Sequence, residues 1–136
     1  MFHPDTQFLI DHWTGLARAA SVRGGIPARS TLNPETLGRR LPRAFVADWR
    51  DGQALLRLAG TGLEAFYRRS LSGESLTALW SPASAGMVEA SLAQAVREAR
   101  PVVIVGQAPG EPPVPVELVV APLRGPVGRP HQILGL

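Results

Sequence analysis

DWRDGQALLRLAGTGLEAFYRRSLSGESLTALW, residues Asp48 to Trp80, sets the architecture of this 136-residue chain. An apolar run closes at Trp49 and turns through Arg50-Asp51-Gly52. An Asp-Gly pair between two β-rich runs is a hairpin signal, because glycine accepts the positive φ that two-residue turns need. A second strand follows from Ala54 to Gly60 and breaks into Thr61-Gly62-Leu63-Glu64. That spacing predicts a capping box, with the Thr61 hydroxyl and the Glu64 carboxylate each accepting from the other residue's backbone N–H. Two short helices are then expected, Gly62 to Arg68 and Glu74 to Trp80, separated by a glycine-containing loop. Short helices hung on tight corners from a hairpin suit the wall of a pocket better than a catalytic platform.

Working outward toward the amino terminus, Arg43 to Trp49 reads as the first strand. Before it, Thr31-Leu32-Asn33-Pro34 is a cap followed by proline at the first helical position, opening one or two turns to Leu41 that Pro42 closes. Further back, Pro4-Asp5 starts a helix in which Phe8, Leu9, Trp13, Leu16, Ala17 and Ala20 recur at helical spacing. Gln7, Asp11, Thr14 and Arg18 occupy its polar side, and Arg23-Gly24-Gly25-Ile26-Pro27 ends it near Ser21.

Toward the carboxyl terminus, Ser81-Pro82 opens the second long helix, with Val88, Leu92, Ala95, Val96 and Ala99 along one stripe and Pro101 as its terminator. Three strands remain: Val102 to Gln107, Val114 to Leu123, and His131 to Leu136. In the middle one, Val114, Val116, Leu118 and Val120 face one way, and Pro115, Glu117, Val119 and Ala121 the other. A sheet with one wet face alternates cleanly between apolar and polar; here both sides are apolar. A second cover is therefore required. The first helix is the unassigned amphipathic element, so it is expected to supply that cover, from its own protomer or from a partner. The result is one α+β domain, with a five-stranded antiparallel sheet, helices on one face and the leading helix on the other.

Composition narrows the chemistry. The 45% apolar content suits a globular chain and excludes wholesale disorder. No stretch reaches the roughly 20 apolar residues of a membrane span and no basic-then-apolar leader precedes Phe8, so a soluble cytoplasmic protein is expected. There is no cysteine, hence no disulfide framework and no thiolate chemistry. The pI near 10.9 accompanies a net charge of only +3, because all 14 basic residues are arginine, which does not titrate. That disfavours a nucleic-acid surface. Asp5, Glu35 and Glu64 sit near helix starts, and no nucleophile motif or metal-ligand spacing occurs, so no enzyme is expected.

The order of elements from Arg43 to Leu136 resembles a PAS domain: two strands, short helices, one longer helix, three strands. The match is closer to the PAS_5 group of short bacterial proteins. Its members open with a His/Tyr-Trp-x-x-Leu helix, as His12-Trp13-Thr14-Gly15-Leu16 does, followed by a glycine-proline-arginine segment resembling Arg23 to Arg29. A Pro-capped turn ending in Leu-Pro, a Gly-Thr corner, an Arg-x-Leu-x-Gly segment and a Leu-Trp follow, as in Asn33-Pro34 with Leu41-Pro42, Gly60-Thr61, Arg69 to Gly73, and Leu79-Trp80. One departure stands out: the group has Gly-Arg-Asp where this chain reads Arg68-Arg69-Ser70. The resemblance divides the chain into a helical cap and dimerisation segment, residues 1–42, and a PAS core, residues 43–136.

It also implies a sensory or protein-interaction module. An internal cavity would be lined by Phe66, Tyr67, Leu76, Trp80, Met87, Ser91, Ile104 and Leu118, which could equally fill a small core. Tyr67, Trp80 and Ser91 add polar handles that can orient a ligand, so a small-molecule pocket is expected ahead of a ligand-free interaction module. Phe8, Leu9, Trp13 and Leu16 are the expected homodimer interface, with a signalling protein as the further partner. The cofactor stays unassigned. Haem is disfavoured because none of His3, His12 and His131 lies on the long helix, and adduct-forming flavin because cysteine is absent. Arg39-Arg40 with Arg43, and Arg68-Arg69, are expected to be solvated surface clusters, with anion clamping as the alternative.

Overall fold

A computed structural model describes residues 3–19, 26–27, 34–110, 112–124 and 132–135. Helix α1 spans Pro4–Ala19, and α2 spans Pro34–Leu37 and passes into a 3-10 turn, Gly38–Arg43. Pro42 lies inside that turn and does not close it as expected. Strands β1 (Phe45–Arg50) and β2 (Gln53–Ala59) follow, then α3 (Thr61–Tyr67), a 3-10 turn Leu76–Leu79, and α4 (Pro82–Glu98). Strands β3 (Val102–Ala108), β4 (Val114–Leu123) and β5 (Gln132–Gly135) complete the chain. The Thr31–Asn33 cap, most of the Arg23–Arg29 segment and His131 lie outside the described residues.

The five strands form one sheet in the order β2-β1-β5-β4-β3, and every neighbouring pair is antiparallel. The hairpin closes as the sequence predicts: Asp51 and Gly52 both take positive φ, 50° and 76°, and Arg50 pairs with Gln53. Two positive φ values in a two-residue loop match the twist of the flanking strands.

Two cores lie on opposite faces of the sheet. On the inner face, Phe45, Ala47, Leu56, Ile104, Leu118, Val120 and Ile133 pack against Leu71, Leu76, Leu79, Trp80 and the α4 stripe Val88, Leu92, Ala95. On the outer face, Leu9 and Trp13 of α1, with Leu37, cover Val46, Val119, Ala121 and Leu123. The alternation along β4 thus sorts its side chains into the two cores. The amphipathic leading helix lies on the sheet of its own protomer. Its docking is directional: the Trp13 indole N–H donates to the Pro122 carbonyl at 2.7 Å, and the Thr6 hydroxyl to the Glu117 carboxylate at 2.7 Å.

Several local expectations need correction. Gly60, not Thr61, caps α3, and no side chain completes the cap. A Cβ on Gly60 would stand 2.2 Å from the Pro42 carbonyl oxygen, so close approach of backbone holds this corner. The Glu64 carboxylate is then free to accept from the Leu71 N–H at 2.9 Å, tying α3 to the loop that follows. Glu74 to Trp80 makes one 3-10 turn, Leu76–Leu79, in place of a helix. Helix α4 stops at Glu98 with Ala99 left-handed at φ 53°, two residues before Pro101.

Candidate functional site

The inner face of the sheet meets the helical wall at a small cavity of about 40 Å³. Phe45, Leu56, Val116 and Leu118 supply the sheet side; Leu63, Tyr67, Leu76, Leu79 and Trp80 supply the wall. Trp80 is positioned from both sides. It follows the 3-10 turn directly, and its ring lies against Gly106, where a Cβ would come within 2.8 Å of it. The start of α4 is pinned there too: the Ser81 N–H donates to the Gln107 carbonyl at 2.8 Å, and the Gln107 N–H donates to Ser84 Oγ at 3.1 Å.

Outside this cavity lies an open groove of about 270 Å³ between β4 and α3, lined by Arg43, Gly62, Leu63, Phe66, Tyr67, Val116, Glu117 and Leu118. Leu63, Tyr67, Val116 and Leu118 belong to both spaces, so a single layer of side chains separates them. Tyr67 is the latch in that layer. Its hydroxyl donates to the Leu79 carbonyl at 2.8 Å, Phe66 packs edge-on at 4.9 Å, and burial pushes the phenol pKa up against the opposing pull of Arg69.

A polar hollow of about 180 Å³ continues from the groove through Arg43 and Glu117 to His3, Asp5 and Thr6. Arg40 and Arg43 both pair with Asp5, the former at 3.0 Å. Arg40 also stacks over Phe8 at 4.1 Å. The Thr6 hydroxyl, together with the His3 N–H, holds the Glu117 carboxyl below the usual range. The first arginine cluster is therefore largely engaged within the fold. In the second, Arg69 forks onto Glu74 at 2.9 and 3.1 Å, and Arg68 sits at φ 58° as the C-cap of α3.

The site residues expected from the sequence divide. Tyr67, Leu76, Trp80 and Leu118 line the cavity; Phe66, half exposed, lines the groove with Tyr67 and Leu118. Ile104 is buried in the inner core without touching either space, Ser91 is half-buried on α4, and Met87 is 42% exposed and lines neither. Met87 precedes the buried stripe by one residue and so points away from it. Phe45, Leu56, Leu63, Leu79 and Val116 were missed, although the inward alternation of the strands carried the signal for Phe45, Leu56 and Val116. Of the expected interface residues, Leu9 and Trp13 are buried against their own sheet, at 0% and 6% exposure, Phe8 packs half-buried against the same outer core, and Leu16 is half-buried. Among the described residues, no helix is long and apolar enough to cross a membrane and no group of side chains is arranged to hold a metal ion.

Comparison with known proteins places this geometry. Among solved structures, a light-oxygen-voltage domain carrying a flavin analogue aligns with TM-score 0.58 at 14% identity, over 74% of this chain and 78% of that one. A fungal LOV domain photoreceptor aligns with TM-score 0.56 at 19% identity, over 93% of this chain and 89% of that one. The photo-excited blue-light photoreceptor Vivid aligns with TM-score 0.55 at 11% identity, over 90% and 91%. At such identities the likeness is one of fold. No curated protein matches the chain. The PAS_5 family model, described as a PAS domain, matches residues 1–136 throughout, and with the strand order and the helical wall in agreement, this chain belongs to the PAS domain family.

Proposed function

We propose that this protein is a sensory or regulatory PAS module that takes up a small molecule and passes the change to other proteins, a second copy of the chain among them. Family membership supports the signalling role. The observation that carries the ligand reading is the shared layer of Leu63, Tyr67, Val116 and Leu118, which leaves the cavity one side chain away from the groove. Displacing Tyr67 from Leu79 joins the two spaces and loosens α3 from the following 3-10 turn, which couples occupancy to the shape of the wall. A non-catalytic role and a cytoplasmic location belong to the same proposal.

A ligand-free interaction module is the second reading, favoured by the size of the inner space. About 40 Å³ accommodates little more than a water, against roughly 300 Å³ or more for ordinary ligand pockets. An isoalloxazine ring does not fit it, and without cysteine no flavin adduct can form. A thermal-shift screen against metabolites, paired with mass spectrometry of whatever co-purifies, separates the two. The ligand reading expects a stabilising compound whose effect is lost in Tyr67→Ala and Trp80→Ala. A broad screen with no shift and no bound mass leaves the interaction module.

A further inference from the structure

The two edges of the sheet are finished differently. Along β2 the outward groups of Leu56 are taken: its N–H donates to the Glu74 carbonyl at 2.8 Å, and its carbonyl accepts from the Gly73 N–H at 2.7 Å. The register shift opposite Val46 and Ala47, with the charged Arg57 beside it, blunts that edge further. β3 is the other edge, and it has no such guard. Its sequence holds no charged residue between Arg100 and Glu111, and Val102-Val103-Ile104-Val105 is an unbroken β-branched run. Val105 is 63% exposed.

The free backbone groups on this edge can be assigned. In an antiparallel pair the N–H and C=O of a residue point to the same side, and the side alternates along the strand. Gln107 turns both away from β4, since its N–H donates to Ser84 Oγ at 3.1 Å and its carbonyl accepts from the Ser81 N–H at 2.8 Å. Its cross-strand partner is Pro115, which has no N–H to offer. Val105 and Val103 follow in the same unshifted register, so their groups also turn outward. No described residue bonds to them there.

These four groups are self-complementary. With a second β3 laid antiparallel about a twofold axis at Ile104, Val103 faces the partner's Val105, and Val105 faces the partner's Val103. Each of the two pairs exchanges two N–H···O=C bonds. Pairing then stops by itself. One step further Gln107, whose groups the serines already fill, meets the partner's Pro101, which lacks an N–H. A foreign strand would fill the same four groups without proline opposite Gln107, so the match at both ends favours a copy of this chain. We infer that β3 pairs with the β3 of a second copy, joining two sheets into one continuous sheet. So short a contact falls below the roughly 1,200 Å² of a stable interface, so the dimer is weak, with a Kd on the order of 0.1 mM. The inference names the surface for the self-association proposed above, on which it rests, and leaves α1 to its own sheet.

The test follows backbone amide exchange and sedimentation of the whole chain from a tenth of that Kd to ten times it. Over this range the Val103 and Val105 amides should slow about fourfold together as dimer forms, while Gln107 stays protected throughout. Val105→Pro removes an N–H that points away from β4 and so spares the β3–β4 ladder. Val105→Arg changes a side chain that is already exposed and sets two like charges a diagonal apart across the axis. Each folded variant should weaken the dimer at least about tenfold. If Val105→Pro does not fold, Val105→Arg decides alone, and a dimer as tight as wild type overturns the pairing. A dimer whose formation leaves Val103 and Val105 exchange unchanged overturns this surface while self-association stands. A chain that stays monomeric up to about 1 mM overturns both.

Discussion

Replacing Trp13 probes the outer core, because this side chain combines packing with a directed hydrogen bond. It is 6% exposed, seated with Leu9 against Val119, Ala121 and Leu123, and its indole N–H reaches the Pro122 carbonyl at 2.7 Å. Trp13→Ala removes the ring and leaves a cavity over the sheet, a change that costs about 3–5 kcal/mol in well-packed sites. Against a total stability of about 5–15 kcal/mol, that loss is enough to undock α1 or unfold a marginal chain. Trp13→Phe keeps most of the volume but leaves the Pro122 carbonyl without its donor, a loss of about 1–3 kcal/mol. For a chain of this size the conservative variant should lower the melting temperature by roughly 4–12 °C. Urea unfolding followed by the fluorescence of Trp49 and Trp80 measures both. The reasoning fails if Trp13→Ala lies within about 0.5 kcal/mol of wild type, since surface substitutions alone produce so little.

Three other perturbations have defined directions. Arg68 holds a left-handed φ of 58° at the end of α3, so Arg68→Gly should stabilise the protein by about 0.5–1 kcal/mol in a denaturant titration; a loss of stability would contradict the capping argument. At Gly106 an added Cβ meets the buried Trp80 ring at 2.8 Å, so Gly106→Ala should cost about 1–3 kcal/mol by overpacking and alter Trp80 emission; an unchanged melt would place the ring elsewhere. Glu117 has a folded-state pKa below its unfolded value, so its contribution is complete above about pH 4.3 and fades as the pH falls through the lower folded value. Acid should therefore loosen the start of α1, read as a lower protection of the amides near Thr6 relative to their intrinsic exchange rate at each pH, and Glu117→Gln should remove that part of the pH dependence.

Much of this fold is legible in the chain because its strongest signals are local. Asp51-Gly52 can hardly be anything but a two-residue hairpin, and the Val88-Leu92-Ala95 stripe names the buried side of α4. Along β4 the two apolar registers demand two covers, and α1 is the helix available to supply the second. What stays hidden depends on distant partners. Thr61 and Glu64 have the spacing of a capping box, yet the corner is held by Gly60 against the Pro42 carbonyl, and Glu64 turns to Leu71. The helical periodicity of α1 marks Leu9 and Trp13 as apolar without saying which surface they meet. The groove is harder still to foresee. It lies where α3 meets β4, and that meeting is a tertiary contact that no window of residues contains.

The indole N–H of Trp13 reports most directly on the central claim, that the leading helix seals the outer face of its own sheet. Of the three tryptophans, Trp13 is the one whose ring nitrogen donates to Pro122. Its hydrogen–deuterium exchange, followed by nuclear magnetic resonance on dilute protein, should be slowed to the rate of opening of the outer core and should not change with concentration. Exchange at the rate of a free indole, or protection that vanishes on dilution, would contradict it.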